Sequence, residues 1–74
     1  MATCKKFPNT SVTYSARKAG DGYRGYVTCV EYTGWTPSKW SKRSDVTHLT
    51  RADALSDAAQ AAAVAIETGY VPAF

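Results

Sequence analysis

The sequence predicts an α+β domain: a three-stranded antiparallel sheet, with room for an extra short edge strand, packed on one C-terminal helix. Three observations carry this reading. Residues 10–32 alternate in polarity around a glycine-rich turn, residues 39–47 read as a third strand, and the last third reads as one long capped helix.

The chain has 74 residues, which bounds it to one domain (1–74) near the size at which a single core suffices. Within it, residues 1–9 form an N-terminal arm or edge strand, 10–47 the sheet, 50–69 the helix and 70–74 a tail. The arm holds Lys5-Lys6 and then Phe7-Pro8-Asn9, where Pro8 removes an amide and Asn9 suits a turn. In residues 10–18, Val12, Tyr14 and Ala16 alternate with Ser11, Thr13, Ser15 and Arg17, the pattern of a half-buried strand. Ala19-Gly20-Asp21-Gly22 is a hairpin signal, because glycine and aspartate supply the backbone angles a tight turn needs. A loop of two or four residues gives the same parity, and Val12, Tyr14 and Ala16 then share a face with Gly25, Val27 and Cys29 on the return strand, residues 23–32. A three-residue loop with a bulge would reverse the faces.

Thr33 to Ser38 is a wider connection broken by Gly34 and Pro37, with Trp35 near its tip. Residues 39–47 read as the third strand, with Trp40 and Val46 directed inward. Leu49 is placed to staple against Ala54 in the first helical turn. Thr50 and Asp53 have capping-box spacing, Gly69 supplies a left-handed stop, and Pro72 forbids continuation. Leu55, Ala59, Ala62 and Ile66 fall on one stripe, whose methyl-sized members let the helix sit close to the sheet. Leu, Ile and Met number four together, so the core is expected to be largely aromatic or alanine, with Tyr70 or Val71 returning to the sheet.

Nine Lys and Arg against six Asp and Glu give a net charge of +3, a mild excess that serves solubility and also fits a polyanion. The N-terminus lacks the apolar run of a signal peptide, and no stretch of about 18 apolar residues occurs, so a cytoplasmic protein without membrane association is expected. Cys4 and Cys29 are too few for a zinc site; a reducing compartment keeps them as thiols, and whether they pair stays open. No metal or cofactor is expected. One histidine, His48, and scattered carboxylates do not assemble a catalytic set; His48 is read as a loop-bonding residue and Cys29 as a small core residue, so no enzyme is expected. Gly20-Asp21-Gly22 lacks the strand-loop-helix context of a phosphate-binding loop.

The richest constellation interleaves cations and rings: Arg17, Arg24, Tyr26, Tyr32, Trp35, Lys39, Trp40, Lys42 and Arg43. Cations hold phosphates and rings stack on bases, so such a face suits nucleic acid or a nucleoprotein; rings and cations are also ordinary strand fillers. With Tyr23-Arg24-Gly25-Tyr26-Val27 on the second strand, Lys42-Arg43 on the third and Thr50 to Ala54 opening the helix, the chain resembles the small arm-type DNA-binding domains of phage integrases over residues 12 to 68. Those domains insert their sheet into the major groove, and the resemblance implies a phage or mobile-element origin with Arg24, Tyr26, Lys42 and Arg43 facing DNA. The alanine-heavy helix and wide Trp35 loop depart from that pattern, and a free-standing module without recombinase chemistry is expected. The general character is also similar to phage-encoded inhibitors, anti-CRISPR proteins among them, which bind host protein complexes. A homodimer through the uncovered sheet face is the third expectation.

Overall fold

The computed structural model describes residues 2–32 and 34–74; Met1, at the head of the arm, and Thr33, at the start of the wide connection, lie outside the described residues. Four antiparallel strands in sequential order, β1 (Ala2–Thr3), β2 (Thr10–Ala19), β3 (Gly22–Glu31) and β4 (Ser38–Arg43), are packed against one helix, α1 (Arg51–Thr68). The fold is α+β, and the short β1 beside β2 is the additional edge strand.

A two-residue turn joins β2 to β3, pairing Ala19 with Gly22, Arg17 with Arg24, Ala16 with Gly25 and Val12 with Cys29. Gly20 takes a φ of 60°, the left-handed geometry such a turn requires. With that register Val12, Ala16, Val27 and Cys29 are buried under α1, and Ser15, Arg17, Arg24 and Tyr26 alternate onto the opposite face.

The helix begins and ends where its caps dictate. The Thr50 hydroxyl accepts a hydrogen bond from the Asp53 amide at 3.2 Å, and Gly69, at φ 83°, donates its amide to the Ala65 carbonyl. The reciprocal half of the capping box, Asp53 carboxylate to Thr50 amide, does not form among the described residues. Thr50→Ala is expected to cost about 1 kcal/mol, read as a lowered thermal midpoint, because one orphan amide of the first turn loses its acceptor.

The buried stripe is offset from the one the sequence suggests. Ala54, Ala58, Ala61, Ala62 and Ala65 are buried, whereas Leu55, Ala59 and Ile66 are only half-buried. The reason lies on β3: a Cβ on Gly25 would sit 2.7 Å from the Ala54 carbonyl oxygen and 2.8 Å from the Ala58 Cβ, so the helix lies directly on the strand. Only methyl groups fit between the layers. Leu55 and Ile66 lie along the flanks, and Ile66 packs against the edge of the core formed by Cys4, Val12, Val27, Cys29 and the alanines.

The same closeness removes the expected aromatic core. Six of the nine rings, Phe7, Tyr14, Tyr32, Trp35, Trp40 and Tyr70, are exposed. The third strand stops at Arg43 instead of reaching Thr47, which leaves Val46 exposed and not inward. Ser44 is fully buried at this corner; its hydroxyl accepts from the Val46 amide (3.0 Å) and lies within donating distance of the Val46 carbonyl (3.0 Å) and Asp57 Oδ2 (3.3 Å). Leu49 is exposed and does not staple the helix.

The N-terminal arm and the tail close the ends of the sandwich. The Cys4 amide donates to the Thr10 carbonyl, and the Lys5 amide donates to Ile66 near the helix end, satisfying one of its terminal carbonyls. Lys5 also pairs with Glu67 at 2.6 Å on the surface. Val71 returns to the core, one of the two residues expected to do so, Phe74 packs there as well, and the Asp45 amide donates to the Phe74 carbonyl. Tyr70 stays outside with its ring edge-on to Phe7.

Candidate nucleic-acid interface

Alternation along three long strands distributes the singled-out residues between two faces. Arg17 on β2, Arg24 and Tyr26 on β3, and Lys39 and Arg43 on β4 lie on the face away from the helix; the register sets Ser15, Tyr26 and Arg43 in one row across the sheet and Arg17 beside Arg24 in the next. Tyr32, just past β3, is exposed, and Trp35 stands fully out of the 34–37 connection. Lys42 goes the other way. It pairs with Val27, a buried residue, and lines a groove on the helix side together with Trp40. The expectation that Lys42 and Arg43 face a common partner is therefore corrected, because neighbours on a strand point to opposite faces.

Tyr26 is the centre of the basic cluster. The Arg17 guanidinium lies over its ring at 5.1 Å, a cation–π contact that draws this arginine away from its cross-strand neighbour Arg24. Arg24 is diverted in the opposite direction by an irregularity absent from the sequence reading. Ser44 still pairs with Gly25, its amide donating to the Gly25 carbonyl, and the chain rejoins β3 only at His48, which exchanges two backbone hydrogen bonds with Tyr23. Three residues, 45–47, thus stand opposite Arg24 alone, and its Nε donates to the Thr47 hydroxyl at 3.2 Å. Two like charges paired across strands repel; here a ring takes one and a bulge takes the other.

Beyond this cluster the face is hydroxyl-rich. Thr13, Thr28 and Ser41 form the next row, with Thr28 and Ser41 hydroxyls 3.0 Å apart. Lys39 stands about 13 Å from Arg43, four residues along β4 at about 3.3 Å each. Among the described residues the strand positions on this face carry cations and no carboxylate, and Asp45 stands in the bulge opposite Arg24. Of six carboxylates, Asp21 is in the hairpin turn, Glu31 lines the groove on the helix side, Asp45 follows β4, and Asp53, Asp57 and Glu67 are on α1.

His48 is held by the helix: its Nε2 lies 3.0 Å from Asp57 Oδ2, beside the Ser44 hydroxyl. These three side chains join the bulge to α1, and the burial of Ser44 withholds its hydroxyl from any substrate. Cys4 and Cys29 are buried free thiols. Burial pushes the Cys29 thiol above its ordinary value, and the neighbouring Cys4 adds to the shift, so Cys29 is protonated and a poor nucleophile at neutral pH. Among the described residues no three His, Cys, Asp or Glu side chains group as metal ligands, and no helix is long and apolar enough to cross a membrane.

Comparison with protein-family models, curated proteins and solved structures gives no match.

Proposed function

We propose that this is a small non-enzymatic binding protein of phage or mobile-element origin that engages nucleic acid, alone or within a nucleoprotein, through the outer sheet face. The observation that carries the reading is the segregation of charge along the strands: Arg17, Arg24, Lys39 and Arg43 share the outer face, and no outward position of β2, β3 or β4 is a carboxylate, Asp45 in the bulge being the one acid beside Arg24, although the chain as a whole has a net charge of only +3. A face used only for solubility gains nothing from such sorting, since interspersed charges hydrate equally well. The Tyr26 ring and the hydroxyl row add a stacking surface and phosphate-directed donors. Exposed Tyr32 and Trp35 extend the aromatic surface beyond the strand ends.

Duplex DNA is the favoured ligand, because three strands at about 4.8 Å per spacing span about 10 Å between the outer two, within the roughly 12 Å width of the major groove. The test is a fluorescence-anisotropy titration with mixed-sequence duplex and single-stranded DNA and RNA at two salt concentrations. If four cations each neutralise one phosphate, affinity for duplex falls about 100-fold between 50 and 200 mM salt. No binding at low salt would redirect the function to a protein target, such as the host complexes bound by phage-encoded inhibitors.

A further inference from the structure

We propose that the open edge of β4 is a second binding site, which accepts an extended peptide whose side chains alternate between acidic and apolar. β4 is the outermost strand on its side of the sheet, and all six of its residues are exposed. The Ser44 amide bonds the Gly25 carbonyl, so by antiparallel alternation Lys42, Trp40 and Ser38 direct their backbone groups to β3. Lys39, Ser41 and Arg43 therefore present their N–H and C=O groups at the edge. An extended chain can continue the ladder there.

The two faces of β4 define which side chains such a chain would carry. On the helix side, α1 lies over β2 and β3, and a groove of about 430 Å³ remains, lined by Phe7, Cys29, Trp40, Lys42, Tyr70 and Val71 among others. Trp40 pairs with Cys29 and remains 45% exposed, so a residue added opposite it meets an indole face. An apolar or aromatic side chain is stabilised at that position. On the other face the added residues lie beside Lys39 and Arg43, where carboxylates are favoured.

Charge also selects against a second copy of the chain. β4 reads Ser-Lys-Trp-Ser-Lys-Arg, three cations and no carboxylate, and pairing it with itself would set cations against cations. Edge lysines commonly serve as guards against association, and a strand that only guards its edge would reject every added strand. An acidic-apolar peptide distinguishes the two roles.

The probe is a capped six-residue peptide alternating Glu and Phe, followed by Trp40 fluorescence in a Trp35→Phe background. Saturable binding is expected below about 1 mM. N-methylation of the alternate amides that would face β4, or replacement of Glu by Lys, is expected to weaken it by about tenfold or more. Trp40→Ala, followed with a labelled peptide, should weaken it similarly. Equal affinity for the N-methylated peptide, or no binding up to about 1 mM, overturns the proposal, and both results are obtained without altering β4. The site shares Lys39 and Arg43 with the proposed nucleic-acid face but adds the backbone edge of β4 and Trp40, which that face does not use, so a null result with the peptide leaves the duplex titration standing.

Discussion

Gly25→Val is expected to unfold most of the population at 37 °C, and Gly25→Ala to lose about 1–3 kcal/mol, the range for forcing extra carbon into a packed interior. In a strand, alanine or valine would ordinarily be preferred over glycine, so local propensity alone predicts stabilisation. Distance reverses the sign. The new Cβ would lie 2.7 Å from a helix carbonyl oxygen and 2.8 Å from the Ala58 methyl, and neither is the end of a flexible side chain that can swing away. The helix must move outward as a body. Its buried stripe is entirely alanine, with Ala54 and Ala58 at 0% exposure, and methyl groups cannot extend to fill the gap. A radial gap of about 0.5–1 Å forfeits a quarter to a half of the dispersion energy along the interface. A domain of this length has about 4–11 kcal/mol in total, so the valine variant exhausts a large part of it. Thermal unfolding followed by circular dichroism tests this: a Gly25→Ala midpoint within a degree or two of the parent would show that the helix is not seated on β3 in this way.

The limits of helix α1 were legible in the sequence because their signals are local. Thr50, Gly69 and Pro72 fix both ends through bonds within a few residues, and the helix spans Arg51–Thr68 as those residues require. The hairpin was legible for the same reason. The identity of the buried stripe was not, because Leu55 and Ile66 carry more apolar area than any alanine and attract the assignment. What overrules them is the absence of a side chain at Gly25, some thirty residues away, and no helical periodicity reports that. The exposure of the rings follows from the same contact. Opposite placement of Lys42 and Arg43 could have been read from strand alternation alone. The 45–47 bulge could not, since it depends on Ser44 being buried and on His48 rejoining Tyr23.

That bulge makes Arg24 the most informative position on the outer face. Arg24→Glu is expected to abolish detectable duplex binding at physiological salt and to lower the slope of log affinity against log salt by about 1 or more, because one phosphate contact is lost and a repelling charge is gained. The thermal midpoint should move by only a few degrees. Arg24 donates one hydrogen bond, to Thr47 at the surface, whose loss costs about 1 kcal/mol, and a glutamate opposite Arg17 forms a favourable cross-strand pair that offsets part of it. Lys18→Glu is the matched control. Lys18 neighbours Arg17 on β2 and alternates to the other face, where it pairs with Tyr23, so the substitution makes the same change in net charge away from the proposed interface. A face-specific site loses far more affinity at position 24 than at 18. Equal losses would mean that DNA responds to overall charge alone, and a collapse in stability at position 24 would make Arg24 a structural tie to the bulge; either result removes the outer face as the site.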